Sequence, residues 1–390
     1  MSGIKKNKTY FFGNKAVLFG MFLVISLIFL FLSNFKIKII GNYYYHKSIN
    51  QIPSIKLVLS SKKTKELNLS LDTLKANYKL GYFGKYKKFK AIIIEEELKK
   101  EVKVSLHGHF LDHWNKNNPS FKVKVRNSQT ILDMYSFLVL PPKTRDYLGD
   151  WTAGKLSEKY GLLNLKRTFI LFSTNKMSPK VYLIEESFAS IGKRLKHQGL
   201  AFKYSFEKDS LNINIYNNHY EDSTRIKIQS LMNKFIKNPN KFGFIFDMNK
   251  MAKYYLITDI TQGFHQLAEC NTHFFYNFKT SKIEPIGREW CTHNWKVNDP
   301  QLTCNFVNDT LNFSGYASII HKKMFSNVEL QNLYKIKTNN KQVKSQLKEI
   351  QLELQFMSNC LWKQRGTLHF DNKYILRNVL YRNSQEIKFQ

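Results

Sequence analysis

Between Phe121 and Val125 the chain alternates strictly, Phe-Lys-Val-Lys-Val. Only an extended strand puts the three apolar residues on one face and both lysines on the other. Ile55–Leu59, Phe89–Ile94 and Val102–Leu106 are further short runs of strand character, and the charged EEELKKE stretch reads as a hairpin connection between the last two. Lys166–Ser173 and Lys180–Ile184 extend the series. Helical patterning starts at Arg145–Tyr160, with Leu148, Trp151 and Leu156 as candidate core positions before Gly161, and returns from Glu186 to Leu195. It dominates later, at Asp222–Ile236, Asp247–Leu267, Lys341–Trp362 and Asn372–Tyr381, interrupted by a hairpin of Thr272–Tyr276 and Lys282–Ile286. Strands first and helices later is the order of an α+β protein.

Charge narrows the partners. The 390 residues carry 61 Lys and Arg against 29 Asp and Glu, a formal net charge of +32, which favours acidic or nucleotide ligands. A 43% hydrophobic and 15% aromatic content excludes a wholly disordered chain. The usual marks of P-loop NTPases, zincins, α/β-hydrolases and ordinary protein kinases are all absent. The KYKKFK stretch at 85–90 is a single short candidate for a basic, aromatic-interleaved face, so nucleic acid is an unlikely partner against a plain solvated strand. No cysteine pair has C-x-x-C spacing; Cys291 and Cys304 are near enough to bridge in an oxidising compartment and are otherwise buried thiols.

Ala16–Leu32 is an uncharged run, AVLFGMFLVISLIFLFL, with no small-residue cleavage site after it. It reads as an uncleaved transmembrane anchor over 16–35, spanning the lipid bilayer once. The lysines of the preceding tail, 1–15, favour a cytoplasmic amino terminus, a juxtamembrane linker over 36–53 and a main domain outside the cytoplasm of a bacterial cell.

Three blocks carry a family resemblance: VKVSLHGHFLDHWNKNNPSFKVKV (102–125), MYSFLVLPPKTRDYLGDW (134–151) and YGLLNLKRTFILFSTNKMSPKVYLIEESF (160–188). A fourth, MAKYYLITDITQGFHQLAECNTHFFYNFKTSKIEPIG (251–287), follows in the same order. Together they resemble the spore-coat protein H (CotH) kinase-like family over about residues 90–290. Ser105-Leu106-His107-Gly108-His109-Phe110 stands where that family has R-L-K-G-D-W.

The resemblance implies a divergent, atypical protein-kinase-like fold over 54–300, with 301–390 as a helical carboxy-terminal extension. It implies ATP with Mg²⁺ or Mn²⁺, and transfer of the γ-phosphoryl group to protein Ser or Thr hydroxyls. Carried over by position, Lys122 is the phosphate cation and Glu186 its orienting carboxylate. Asn271 falls in the catalytic region, and Glu289, with Asn271, holds the metal. Two alternatives stay open: a catalytically degenerate binding or scaffold protein in cell-surface assembly, and a phosphotransferase acting on an envelope glycan or lipid.

Overall fold

The computed structural model describes residues 42–79, 86–145, 147–207, 210–216, 222–261, 263–269, 271–290, 318–337, 345–346 and 348–361. Residues 52–358 fall in one compact unit; residues 42–51, helical over 42–49, and 359–361 belong to a second.

Within the larger unit, seven strands close into a barrel. They are β1 (Ser54–Val58), β2 (Phe89–Glu95), β3 (Leu98–Leu106), β4 (Phe121–Val125), β5 (Ser136–Leu140), β6 (Arg167–Thr174) and β7 (Lys180–Glu186). Around the barrel the order is β1-β2-β3-β4-β5-β7-β6, and the seam is the parallel pairing of β1 with β6, Ser54 opposite Leu171 through Leu57 opposite Thr174. The β2–β3 hairpin turns on Glu96 and Glu97, at φ 46° and 71°, the backbone of a tight two-residue turn. Alternation fills the barrel: Ile55, Leu57, Ile93, Val102, Val104, Phe121, Val123, Phe137, Val139, Phe172, Tyr182 and Ile184 share one core. Each large apolar side chain buried there contributes about 1.5–3 kcal/mol.

A second sheet follows in the same unit, in the order β9-β8-β10-β11, with the short strand Leu163–Asn164 pairing parallel to β11. Its strands are β8 (Gly199–Glu207), β9 (Ser210–Ile215), β10 (His273–Asn277) and β11 (Lys282–Gly287). Beyond residue 60 the longer helices are α1 (Ser61–Lys79), α2 (Gly149–Lys159), α3 (Phe188–Arg194), α4 (Asp222–Lys237), α5 (Met248–Thr261), α6 (Ile319–Phe325), α7 (Val328–Lys337) and α8 (Gln351–Cys360), with a single helical turn at Phe242–Ile245. Leu148, Trp151 and Leu156 are buried as expected, but α2 starts at Gly149, because Pro142–Arg145 forms a separate 3-10 turn. The helix ends ahead of Gly161, whose φ of +69° reverses the chain.

Two expectations are corrected. The divergent kinase-like fold behind a transmembrane helix is replaced by a mixed α/β architecture around a closed seven-stranded barrel. The strand runs were legible, but the parallel seam joins segments more than a hundred residues apart and leaves no local signal. The single-pass anchor and the membrane localisation are corrected as well: among the described residues no helix is long and apolar enough to cross a membrane. The run 16–32 lies outside the described residues, as do Cys291, Cys304 and the Asn372–Tyr381 segment.

Candidate functional site

Strand β7 carries two adjacent carboxylates, and the pleat sends them to opposite faces. Glu186 shares the parity of Tyr182 and Ile184, which belong to the barrel core. It is fully buried and satisfied locally: Arg194 Nη2 donates to it at 2.8 Å, Arg194 Nε at 3.1 Å and Ser190 Oγ at 2.9 Å. Glu186 therefore fastens α3 to the end of the barrel, and Lys122 is not among its partners.

Glu185 faces the other way, into a buried network of charge. Opposite it on β6 stands Arg167, whose Nε donates to Glu185 at 2.8 Å and to Asp150, in the first turn of α2, at 3.1 Å. Arg145, at the end of the 3-10 turn, lies 3.8 Å from Asp150, 3.9 Å from Glu185 and 3.5 Å from Glu289. Burial and the neighbouring Glu185 carboxylate push Asp150 up to about 6 against the pull of Arg167 and Arg145. Burial also opposes the charge on Glu185, but Arg167 and Arg145 hold its carboxyl below the usual range.

Glu289 connects this network to the surface. It follows β11 at a φ of 48°, left-handed backbone that costs a non-glycine residue of order 1–3 kcal/mol and that clusters at functional sites. Its Oε1 accepts from Arg288 Nη2 at 2.7 Å, and its Oε2 lies 3.1 Å from His265 Nδ1. Burial disfavours its charge, yet Arg288, the His265 hydrogen bond and Arg145 hold the carboxyl well below the carboxylate range. Asn271 completes the group, its amide nitrogen 3.1 Å from His265 Nδ1 and donating to the His265 carbonyl at 3.2 Å.

Arg288 also lies over the Phe188 ring, 5.1 Å from its centre, and Phe188 stacks on His273 at 3.6 Å. His273 Nδ1 donates to the Asn271 carbonyl at 2.7 Å, so its Nε2 accepts from the Tyr216 hydroxyl at 2.7 Å. Burial, with Arg288 adding to it, lowers His273 to about 3, which keeps the ring a neutral support.

Lys122 stands at the rim. Much of its surface faces solvent, but partial desolvation, then Arg288, Lys88 and Lys124, hold its ammonium below the usual lysine range. His107 is held well below the imidazole range by burial, Arg145, His113 and Arg288, so it stays neutral beside the cations. His113 and Asp112 are structural: His113 is buried with its Nδ1 2.8 Å from Ser120 Oγ, and Asp112 accepts from the His113 backbone.

The structure thus brings Asn271 and Glu289 together, sets Lys122 within electrostatic range of Arg288 beside them, and places Glu186 elsewhere. Sequence reasoning passed over Arg145, Asp150, Arg167 and Glu185 as site residues; an Arg288–Glu289 ion pair is suggested by their adjacency and is present, while His265, which reads as an ordinary helix-face histidine, instead contacts Glu289 and Asn271. One signal was available: Glu185 follows the apolar run Val181–Ile184, where a charge needs a buried partner, and β6 begins with an arginine.

A divalent cation fits these residues poorly. Both Glu289 oxygens already face positive or hydrogen-bonding groups, two guanidiniums and an imidazole. Among the described residues no group of three or more His, Cys, Asp or Glu side chains is placed to hold a metal ion. The arrangement is instead suited to anions, with Arg288 and Lys122 as its outermost cations. Compared with known proteins, the chain matches no family model and no curated protein.

Proposed function

We propose that the chain is a phosphotransferase that passes the γ-phosphoryl group of ATP to Ser or Thr hydroxyls of a protein, the activity its CotH-like blocks imply. The observation that carries this reading is the meeting of His265, Asn271, Arg288 and Glu289 in one hydrogen-bonded, ion-paired group, joined from far away in sequence by Arg145 and with Lys122 within electrostatic range of Arg288. Phosphoryl transfer consists mainly of positioning and charge neutralisation. Lys122 and Arg288 supply the cations for the phosphate oxygens. Arg288 is pre-positioned by Glu289 on one side and the Phe188 ring on the other, so little reorganisation is needed when an anion arrives.

His265, about one-third exposed, supplies a proton acceptor. With Nδ1–H donated to Glu289, the ring takes the proton of an acceptor hydroxyl at Nε2 once the substrate displaces the Asn271 amide, which lies 3.2 Å from that nitrogen, and the Glu289 carboxylate then stabilises the imidazolium. Asn271 holds the imidazole in place through its contacts with the ring and the His265 carbonyl. No step here runs through a metal ion.

A second reading, a binding protein without turnover, is favoured by the partners of Glu289: both arginines face its Oε1 and His265 faces its Oε2, so a metal would have to displace one of them. The deciding experiment measures ATP binding and phosphate release by the full chain, with Mg²⁺, with Mn²⁺ and with a chelator, then transfer to a Ser-containing protein. Turnover with transfer supports the first reading. Binding without turnover supports the second, and the absence of nucleotide binding under every condition overturns both.

A further inference from the structure

Three lysines stand in one row across three neighbouring barrel strands. Lys90 on β2 is directly opposite Lys103 on β3, and Lys103 is directly opposite Lys124 on β4. All three are exposed on the outer face, on strands about 4.8 Å apart. Like charges directly opposite one another destabilise a sheet. The adjoining row is treated differently, since Arg126 there donates to Glu101 at 2.8 Å. Among the described residues no carboxylate pairs with Lys90, Lys103 or Lys124. The row also leads somewhere. Lys122, two residues from Lys124 along β4, shares its exposed face, and its ammonium feels Arg288 at the candidate site.

We propose that this lysine row is a docking surface for an acidic peptide segment, whose carboxylates cross β2–β4 while the neighbouring chain runs past Lys122 toward Arg288. Charge complementarity names the ligand: a row of unneutralised ammonium groups gains most from a partner that brings carboxylates. An extended peptide places alternate side chains about 6.7 Å apart, within the sweep of flexible lysines on this spacing. Nucleic acid is the weaker occupant because the aromatics interleaved with these lysines face inward. Phe89 is buried in the barrel core, and the Tyr86 hydroxyl donates to the Gly108 carbonyl. Neither offers a ring for base stacking. In identifying the segment as part of the acceptor protein, the proposal rests on the phosphotransferase reading; the binding surface does not.

The experiment measures binding to the full chain, without nucleotide, of a labelled peptide carrying one Ser flanked by Glu residues, and of its Gln counterpart. The Glu peptide is expected to bind about tenfold more tightly at low salt, an advantage the K90Q/K103Q/K124Q variant loses. The single variant K103Q is expected to lose about two- to threefold, and it decides the matter if the triple variant does not fold. Equal binding of the Glu peptide to wild type and K103Q, or to wild type and a folded triple variant, overturns the proposal. Tighter binding of single-stranded DNA or polyphosphate than of the Glu peptide overturns it too. A chain that captures the Glu peptide but neither binds nor hydrolyses ATP refutes the phosphotransferase reading and leaves the docking surface standing.

Discussion

Glu185 and Arg167 occupy directly opposed positions on antiparallel barrel strands, and their carboxylate and guanidinium meet at 2.8 Å with almost no exposure to water. The pair joins the barrel wall to α2 through Asp150, and to the candidate site through Arg145 and Glu289. Removing either partner strands a charge away from solvent. Arg167→Ala is therefore expected to cost about 3–5 kcal/mol of stability, measured by urea unfolding. Arg167→Lys should recover only part of this, because an ammonium cannot reproduce the guanidinium fork.

The two glutamates on β7 should separate by readout. Glu186→Gln weakens the Arg194 and Ser190 contacts and is expected to lower stability by about 1–3 kcal/mol while leaving ATP affinity unchanged. Glu289→Gln releases Arg288 and Arg145 from their shared carboxylate and is expected to cut phosphate release about a hundredfold. A hundredfold loss of release from Glu186→Gln, with stability retained, would restore that residue to the site.

Acid titration gives a signed test. Asp150 is raised to about 6 in the folded state from an unfolded value of 3.8, so the native state holds the extra proton between these values. Its contribution to stability is present below pH 3.8 and lost as pH rises to about 6, a fall of about 2–3 kcal/mol. Glu289 is lowered, so its contribution is present above its unfolded value of 4.5 and is lost as the pH drops through the folded pKa. In pH-dependent unfolding, Asp150→Asn should flatten the decline between about pH 4 and 6, and Glu289→Gln the loss on further acidification.

Gly287 ends β11 under the Trp290 indole. A Cβ there would lie 2.5 Å from Cζ2 of that ring, too close for any side chain. Trp290 is fully buried, and its backbone N–H donates to Asp150 at 2.6 Å. Gly287→Ala should displace the indole and that hydrogen bond together, lowering stability by about 1–3 kcal/mol in thermal or urea unfolding.

The lysine row carries a stability signature independent of any ligand. Lys103 has a lysine directly opposite on each side. Lys103→Gln is expected to stabilise the fold by a few tenths of a kcal/mol, up to about 1, at low salt, and by less as salt screens the repulsion.

From the residues alone, local periodicity settled the β2–β3 hairpin, the Phe121–Val125 strand with its lysines outward, the buried face of α2 and the β10–β11 hairpin. Each of these rests on neighbours within a few positions, where the pleat or the helical turn dictates which side chain meets the core. The order of blocks pointed to Lys122, Glu186, Asn271 and Glu289 as a group, of which Asn271 and Glu289 both contact His265 while Glu186 binds Arg194 and Ser190 instead. Tertiary structure alone decided the rest. Closure of the barrel depends on β1 finding β6 in parallel, a pairing whose hydrogen bonds are indifferent to side-chain identity. The choice of Glu185 over Glu186 depends on strand register, since one step along a pleat exchanges barrel interior for site. The merging of Arg145, Asp150, Arg167, Glu185 and Glu289 into one network was set by three-dimensional packing. Charges taken out of water must find partners wherever the folded chain brings them.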